Sequence, residues 1–599
     1  MISGKLRSVI EKTLQNLDVS EVSFVVEHPT DLSHGDYSTN IAMAASKSLG
    51  KNPRVVAEMI VDEIKKEIFP EIANIEIAGP GFINFKLVPE FFIKSISEII
   101  TAEHSFGNLE INDGKNILIE HSSPNLFKPF HIGHMMNNAI GESLVRLMRA
   151  SGANVTTMSF PSDISLGVAK AVYALRYDLT TVNRQADSSG FDYAIIAGDA
   201  YVVGTRLYED SDDVKAKVKE IADVLYNYTS NYVGTSKDYP KDDLEKYSWT
   251  DLYLKFSNAS RTYLFSFLKD KLETEIDNFI FESESGVQGK EIVESYTSTV
   301  FTKSEGAIVY VPDESRKDIN TSVFINSQGN PTYEAKDLGL IDLKFERYNP
   351  DLSIFVTDHE QIPHFNVVLA AYADLEKERK SLKEEVYNAV EKSEHVPHGR
   401  MLFKGQKMSS RLGGVPPAAE MIEDVALEVK KKMLHRDSNY ANIDYVSERI
   451  AIGAIKFAIL RAKPGMNINF DPETSLSFEG DSGPYLQYTH ARIQTLLDKG
   501  LEQNIAAEIQ IGNEVSDIEK LLYRFPEVVE SAVSEYAPNY IVTYLLEIAR
   551  SFNSFYGANK IIDVENPETS SHRLAIARAT QIVIRNGLQL LAIEAPDRM

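Results

Sequence analysis

Two histidines three positions apart are the strongest local indication of a functional site in this sequence. They belong to the segment Pro129-Phe130-His131-Ile132-Gly133-His134, which lies between a predicted strand and a predicted helix. Imidazoles and free backbone N–H groups at a helix N-terminus favour phosphate, because the helix dipole is positive there. Gly133 has no side chain, so a flat ring such as adenine could lie against the backbone. The segment therefore predicts a nucleotide site.

Two other interpretations of His131 and His134 are open at this point. They could be ordinary core or helix-capping histidines, which four residues alone do not distinguish from ligand-binding ones. They could also bind a metal, although two histidines at this spacing, without a cysteine or a clear third ligand, make a poor zinc site.

A second candidate segment is Lys407-Met408-Ser409-Ser410-Arg411, followed by Gly413-Gly414. On its own it could be an ordinary basic surface loop. A mobile loop with two cations and two hydroxyls could also neutralise charge on a triphosphate and on its leaving pyrophosphate. Its place after the first segment, on the far side of the same predicted domain, favours the second interpretation.

The elements that must position these segments have the pattern of a parallel sheet. A buried strand is predicted at Asn116–Ile119, a helix at 133–150 and a second strand at Val155–Phe160, with Gly152 just after the helix. Strand, helix and strand at this spacing form a βαβ unit. Further strands are predicted at 307–311, 322–325 and 353–357, and helices at 336–346 and 365–382.

The rest of the chain divides around this sheet. Residues 1–112 are predicted to form an α+β unit, in which Gly79-Pro80-Gly81 is a turn between strands 74–78 and 82–87. Residues 113–440 form the sheet domain, with a mainly helical insertion at about 180–300. Residues 441–599 are predicted to be all-α. The fold class is therefore multidomain α/β, with a Rossmann-like central domain.

The composition limits the possible classes of protein. The chain has 599 residues, too many for one core, and no cysteine, which excludes disulfides, thiolate metal sites and a cysteine nucleophile. It shows no apolar run long enough to span a bilayer and no N-terminal signal pattern, so a cytoplasmic protein is expected. Taken alone, the formal net charge of −25 argues against a nucleic-acid ligand. It does not exclude one, because binding depends on where the basic residues lie.

These segments resemble the HIGH and KMSKS motifs of class I aminoacyl-tRNA synthetases. The string from Glu120 to Pro129 resembles arginyl-tRNA synthetases in particular, and the resemblance extends over most of the chain, least clearly over 180–300. It rests on His34-Gly35-Asp36-Tyr37, Gly79-Pro80-Gly81-Phe82-Ile83-Asn84-Phe85, Tyr333-Glu334-Ala335-Lys336-Asp337-Leu338-Gly339, Gly483-Pro484-Tyr485-Leu486-Gln487-Tyr488 and Glu594-Ala595-Pro596-Asp597-Arg598-Met599.

The resemblance implies an enzyme that activates arginine with ATP and then transfers it to the 3′-terminal adenosine of tRNA(Arg). A guanidinium pocket needs carboxylates and planar acceptors, because the group carries five donors in one plane. Tyr333 and Asp337 lie one helical turn apart and could face one cavity. By resemblance they hold the guanidinium. The other implied arginine contacts are Glu120, Ser122, Asn125 and Gln361.

The remaining site residues and partners also follow from the resemblance. Phosphate and transition-state contacts are expected from His131, His134 and Lys407, supported by Lys128 and Arg411. The implied ATP site is His131, Gly133, His134, Asp358, Lys407, Met408 and Ser409, and the implied tRNA contacts are Tyr485, Tyr488, Tyr556 and Met599. Mg²⁺ is expected with ATP, no protein metal site is expected, and the family expectation is a monomer that needs bound tRNA to activate arginine.

The sequence departs from the family pattern in three places. The second lysine of KMSKS is Ser410 here, so that Lys128 or Arg411 would supply the charge. Only Asp163 matches a Gly-Asp-Trp-Gly segment of the family, and Lys560 stands where some relatives carry an aromatic residue.

Two other hypotheses about function are a tRNA-binding paralogue without catalysis and a synthetase for another amino acid. The intact motifs and the acidic residues argue against both.

Overall fold

The computed structural model describes residues 1–19, 22–67, 69–178, 190–231, 244–403, 406–407, 417–436, 442–510 and 514–599. Its N-terminal unit has a four-stranded antiparallel sheet of order β1-β2-β4-β3, in which β3 and β4 form the hairpin predicted at Gly79-Pro80-Gly81. The strands are β1 (Val26–Glu27), β2 (Tyr37–Thr39), β3 (Ile72–Ala78) and β4 (Phe82–Leu87). The helices are α1 (Ile2–Asn16), α2 (Ile41–Leu49), α3 (Pro53–Ile64), α4 (Pro89–Ala102) and the short 3-10 helices Leu32–His34, Lys65–Glu67 and Glu103–Ser105.

The central domain is built on a five-stranded parallel sheet of order β12-β11-β5-β6-β7. Its strands are β5 (Asn116–Glu120), β6 (Asn154–Ser159), β7 (Asn278–Phe279), β11 (Leu352–Asp358) and β12 (Ser393–His398). The central strand β5 reads Asn-Ile-Leu-Ile-Glu and is buried from Ile117 onward, as expected of a strand covered on both faces. The predicted βαβ unit is confirmed: β5, helix α5 (Ile132–Ala150) and β6 follow one another, and Gly152 adopts a positive φ just after α5.

The predicted insertion is helical over most of its described length, but its last part belongs to the sheet. Helix α6 (Leu166–Tyr177) precedes the insertion. The insertion itself contains α7 (Gly190–Asp210), α8 (Asp212–Asn231), α9 (Leu244–Ser266) and the π-helical turn Phe267–Lys271. After this turn β7 pairs with β6 at the sheet edge. A strand of two residues has no detectable alternation, so its sequence does not indicate a strand.

The second half of the domain returns to the other side of β5. It contains α10 (Glu282–Ser295), the strands β8 (Phe301–Ser304), β9 (Ala307–Tyr310) and β10 (Ser322–Ile325), then α11 (Tyr333–Tyr348), the 3-10 helix His359–Gln361 after β11, and α12 (Ile362–Leu382). The predicted strands β9 and β10 do not join the parallel sheet. With β8 they form a separate antiparallel sheet. A third small sheet has the order β14-β13-β15, from β13 (Met401–Phe403), β14 (Gln406–Lys407) and β15 (Ile468–Phe470).

The C-terminal part is mainly helical, as predicted, except that β15 lies among the residues expected to be all-α. Its helices are α13 (Ala418–Arg436), α14 (Ile443–Leu460), α15 (Pro472–Ser475), α16 (Gly483–Glu502), α17 (Asp517–Leu522), α18 (Phe525–Ser534), α19 (Asn539–Ala558) and α20 (Pro567–Leu590). Two residues of α18 contact the N-terminal unit. Glu527 accepts hydrogen bonds from Ser3 Oγ (2.8 Å), His28 Nε2 (3.0 Å) and Tyr37 Oη (2.8 Å), and Phe525 stacks on Phe106. In the described residues no helix is both long and apolar enough to cross a bilayer.

Candidate functional site

Several of the predicted catalytic and substrate-binding residues lie where the strand order of the parallel sheet reverses. From β5 the chain runs outward to β6 and β7, and it later returns to β11 and β12 on the other side of β5. In an open parallel sheet, ligands bind at this switch point, outside the carboxyl ends of the two neighbouring strands. β5 ends here at Glu120 and β11 at Asp358. Asn137 of α5 spans the two, since its side chain hydrogen-bonds Ser122 N–H and Val356 C=O.

His131 and His134 form a stacked pair at the N-terminus of α5. The ring centroids are 3.8 Å apart and the planes differ by 16°. Nδ1 of His131 accepts a hydrogen bond from Gly133 N–H at 3.1 Å, and Nδ1 of His134 accepts from His131 N–H at 3.3 Å. A backbone N–H only donates, so neither Nδ1 carries a proton and each neutral ring is protonated at Nε2. In each ring Nδ1 thus caps the helix, and Nε2–H is left as a hydrogen-bond donor.

Burial keeps both rings neutral. It lowers the pKa of His131 to about 4, and the charge of Lys128 acts in the same direction. Burial also holds the pKa of His134 well below 6.5, with His131 and Lys128 adding to the effect. At neutral pH this pair therefore offers two N–H donors at the positive end of a helix, which suits an anionic ligand. In the described residues no group of three or more His, Asp or Glu side chains could hold a metal ion.

The second predicted segment is anchored at both of its described ends. Lys407 is in β14, which pairs with β13 opposite Leu402. On the far side of the segment, Pro417 forms an antiparallel bridge with His131, and Ala418 N–H donates to Phe130 C=O at 2.7 Å. The chain thus re-enters the described residues beside the histidine pair. Met408, Ser409, Ser410 and Arg411 themselves lie outside the described residues, as does the Lys407 side chain.

The loop after β5 is fixed by amide side chains of α5. Ser122 has a φ of 55° and is fully buried. Its hydroxyl contacts Asn138 Nδ2 at 3.0 Å and His121 Nδ1 at 2.9 Å. The Ser122 hydroxyl thus holds the loop in place, and the arginine contact expected at Ser122 stays a prediction. Asn125 remains half-buried at the site, where it forms a parallel bridge with Ser162.

Glu120 occupies the predicted position at the end of β5, with a partner that the sequence did not indicate. Its Oε2 lies 2.9 Å from Lys344 Nζ of α11, and both side chains are nearly buried. Lys344 neutralises one carboxylate oxygen and ties α11 to the central strand. The partners are far apart in sequence, so only the fold brings them together.

Tyr333 and Asp337 lie on the first turns of α11, as predicted. Tyr333 is 61% exposed. Asp337 Oδ2 lies 2.5 Å from Nε2 of His364, which belongs to the first turn of α12. Burial on its own would lower the pKa of His364, but the hydrogen bond and charge of Asp337, with the charge of Glu334, raise it. His364 was not predicted from the sequence, although it follows Gln361 by only three positions.

A buried ionic network beneath α11 was also missed. Lys336 Nζ lies 2.7 Å from Glu282 Oε2 and 3.1 Å from Ile164 C=O. Asp163, the one residue matching the family's acidic segment, accepts from Ser283 N–H and Oγ at 2.9 and 2.7 Å, and burial raises its pKa. The network joins α10, α11 and the loop after β6. It therefore fixes the helix that carries Tyr333 and Asp337.

The residues after β11 line the edge of the crevice. Asp358 Oδ1 accepts from Glu360 N–H at 2.8 Å, which caps the 3-10 helix, and its Oδ2 lies 3.4 Å from Arg400 Nε. Gln361 is exposed at the end of that short helix. Lys128 lies on the opposite side, with its ammonium 4.9 Å from the centroid of the Tyr201 ring of α7.

The predicted tRNA-contacting aromatics lie together on one side of the C-terminal helices. The guanidinium of Arg492 lies 5.0 Å from the Tyr488 ring centroid and 5.3 Å from that of Tyr556. Tyr485 Oη accepts a hydrogen bond from Asn553 at 2.8 Å. Tyr556 is 37% exposed, while Tyr485, Tyr488 and Met599 are partly buried against the core. The structure thus brings the three tyrosines together around Asn553 and Arg492.

Three family models match this chain in order. They are the Arginyl tRNA synthetase N terminal domain over residues 4–87, the catalytic domain of tRNA synthetases class I (R) over residues 95–471, and the DALR anticodon binding domain over residues 486–599. The catalytic-domain model alone spans more than half of the chain.

Curated proteins and solved structures agree with these models. The arginine–tRNA ligases of Clostridium perfringens and Borrelia turicatae are each 28% identical, over alignments that cover 100% of this chain and 99% of theirs. The arginyl-tRNA synthetase structures from Thermus thermophilus and Plasmodium falciparum both superpose with a TM-score of 0.77. Their identities are 22% and 20%, and the matches cover 100% of this chain and 100% and 99% of theirs, respectively. At such identities the structures show a shared fold. The chain therefore belongs to the class I arginyl-tRNA synthetase family, which confirms the predicted family, fold class and enzyme class, an arginine–tRNA ligase.

Proposed function

We propose that this chain charges tRNA(Arg) in two steps at the crevice between β5 and β11. Arginine and ATP first give arginyl-adenylate and pyrophosphate, and the terminal adenosine of tRNA then takes the arginyl group. One observation carries this proposal. A pair of neutral histidine N–H donors lies at the helix N-terminus that follows β5, and the carboxylate of Asp337 lies on α11, which Lys344 ties to the end of β5.

ATP is assigned to the histidine side of the crevice. The Nε2–H groups of His131 and His134 donate to its phosphate oxygens. Gly133, assigned to the same site, leaves room for the His131 ring, since a Cβ there would lie 3.0 Å from the Cε1 of that ring. In the first step the arginine carboxylate oxygen attacks the α-phosphorus, and the bond to pyrophosphate breaks. The neutral N–H donors and the helix dipole stabilise the charge that develops on the phosphorus oxygens. Asp358, Lys407, Met408 and Ser409 are assigned to the same site, with Lys128 and Arg411 supplying charge.

Arginine is assigned to the carboxylate side. Asp337 accepts from its guanidinium, and Tyr333 covers the same group with its ring. Glu120, with one oxygen held by Lys344, faces the α-amino group with Asn125, and Gln361 closes the edge. Charge-assisted, planar recognition of this kind favours a guanidinium over an ammonium.

Transfer needs no covalent enzyme intermediate. A terminal hydroxyl of the tRNA adenosine, the 2′-hydroxyl as expected for class I, attacks the carbonyl carbon of the adenylate, and AMP leaves. Positioning of the two substrates supplies most of the rate enhancement. Tyr485, Tyr488 and Tyr556 are assigned to unpaired anticodon bases, which stack on aromatic rings, with Met599 beside them.

Several further assignments belong to this proposal. Mg²⁺ accompanies ATP and is held mainly by phosphate oxygens and water, as is usual for this ion. No residue is assigned to it.

The proposed domains are 1–112 for tRNA binding, 113–440 for catalysis and 441–599 for the anticodon. We propose a monomer, since all of the assigned residues come from one chain. We also propose that the enzyme is cytoplasmic.

The test of the proposed function is pyrophosphate exchange with each amino acid, in the presence and absence of tRNA(Arg). Exchange is expected with arginine and not with lysine. Exchange supported by lysine would overturn the specificity. The absence of exchange with every amino acid, with tRNA present, would favour a tRNA-binding protein without catalysis.

The histidine pair predicts how ATP binding depends on pH. The pKa of His131 is lowered to about 4 and that of His134 lies well below 6.5, so the KM for ATP should be constant from about pH 6 to about pH 8.5. An imidazole with an ordinary pKa would gain charge below pH 6.5 and bind phosphate more tightly, which would lower KM on the acid side. Steady-state charging with magnesium in excess measures this profile.

Lys128 is predicted to supply the charge that Ser410 lacks. Lys128→Gln should lower kcat by about tenfold, which corresponds to roughly 1.4 kcal/mol of transition-state stabilisation. Tyr201→Leu, which removes the ring beneath the ammonium, should have a smaller effect in the same direction. If Arg411→Gln has the larger effect and Lys128→Gln none, Arg411 is the compensating residue.

A further inference from the structure

His364 lies between two carboxylates of α11. Its Nε2 is 2.5 Å from Asp337 Oδ2, and its Nδ1 is 4.0 Å from Glu334 Oε1. The His364 and Asp337 side chains are only 18% and 15% exposed. His364 is therefore hydrogen-bonded to one oxygen of the Asp337 carboxylate, which the proposed function assigns to the substrate guanidinium.

The surroundings of His364 favour its charged form. Within the described residues, Asp337 and Glu334 are the charged groups that act on it, and both are acidic. From its own helix, the Phe365 ring stands edge-on at 5.1 Å between centroids and carries no charge. A cation between two carboxylates balances their charge in a half-buried place, where an unpaired carboxylate would be costly.

We propose that His364 is a positioning residue that holds Asp337 in the empty site and gives up its proton when the substrate guanidinium arrives. This inference rests on the proposed function of Asp337. In the empty site the proton on His364 supplies the positive charge. In the filled site arginine supplies it, and the neutral ring still donates Nε2–H to one Asp337 oxygen, which leaves the other oxygen aimed at the guanidinium.

The consequence is a pH dependence confined to arginine. While His364 is charged, arginine competes with its proton, so the apparent affinity falls with the fraction of enzyme in which His364 is neutral. The KM for arginine should therefore fall by about tenfold per pH unit on the acid side of the His364 pKa and level off above it. That pKa is raised above 6.5 by the hydrogen bond and charge of Asp337, so the slope should extend above pH 6.5.

The first experiment uses the unaltered enzyme. We expect the KM for arginine in tRNA charging to fall with rising pH while the KM for ATP stays constant. Calorimetry of arginine binding to the enzyme–tRNA complex, in two buffers of different ionisation enthalpy, should show release of about one proton at acidic pH. A KM for arginine that is independent of pH, or binding without proton release, would overturn the inference.

Two variants identify the titrating group. His364→Gln keeps a neutral donor for Asp337, so the KM for arginine should lose its slope, and kcat should change little. Glu334→Gln removes one of the charges that raise the pKa of His364, so the break in the profile should move to lower pH. An unchanged slope in His364→Gln would contradict the proposal.

A third variant, Asp337→Asn, separates failure of this inference from failure of the proposed function. If it raises the KM for arginine while His364→Gln keeps the wild-type slope, Asp337 keeps its role and the inference about His364 is wrong. If Asp337→Asn leaves the KM for arginine unchanged, the arginine pocket itself is misassigned and both proposals fail.

Discussion

His131→Asn should lower kcat for tRNA charging by about a hundredfold, in the range seen when one oriented donor to a developing charge is removed. Asparagine is a preferred N-cap residue, so its Oδ1 can replace Nδ1 as the acceptor for Gly133 N–H, and α5 should keep its stability. The shorter side chain no longer places an N–H where the His131 Nε2–H was. Steady-state kinetics at saturating arginine and ATP measure the loss, and thermal unfolding checks the fold.

His104→Asn is the matched control for this change. It removes an exposed imidazole from the short helix Glu103–Ser105, beside the C-terminal end of α5 rather than its N-terminus. Its kcat should equal that of the unaltered chain. If His131→Asn charges tRNA at the normal rate, the histidine pair only caps the helix, and ATP has to be placed elsewhere.

The centre of the candidate site could be predicted from the sequence because its motifs are local. His131, Gly133 and His134 lie in one turn of chain, and the helix dipole that they use is fixed by the same few residues. The pairings that adjust this site are not local. Glu120 with Lys344 joins β5 to α11, and Asp337 with His364 joins two helices separated by β11. No pattern of spacing reports such contacts before the fold is known.

The fold was predicted best where burial dictates the pattern. β5, α5 and β6 follow from apolar runs and helical spacing, and the structure has them within a residue or two of the expected bounds. β12 was missed because its sequence, Ser-Glu-His-Val-Pro-His, is mostly polar and contains a proline. It is a strand because it lies at the sheet edge, where it pairs with β11. The strands β9 and β10 were found, but their partner β8 was not, so their sheet was assigned wrongly.

Asp337→Asn is expected to raise the KM for arginine by about a hundredfold to a thousandfold, because truncating one partner of a buried, hydrogen-bonded charge pair costs roughly 2–5 kcal/mol. The amide keeps the shape of the carboxylate but loses the charge that a guanidinium needs. The KM for ATP should stay within about twofold, since the histidine pair on α5 is untouched. Charging assays that vary one substrate at a time separate the two constants.

Glu346→Gln provides the control, because it makes the same chemical change at an exposed position of the same helix. It should leave both constants unchanged, which excludes a general effect of removing negative charge from α11. Equal increases in the KM for arginine and for ATP in Asp337→Asn would mean that the change disturbs the whole crevice. Arginine specificity would then have to rest on Glu120 and its neighbours on β5. An increase confined to arginine would place the guanidinium on α11, opposite the phosphates on α5, and so fix the direction in which the substrate carboxylate approaches the α-phosphate.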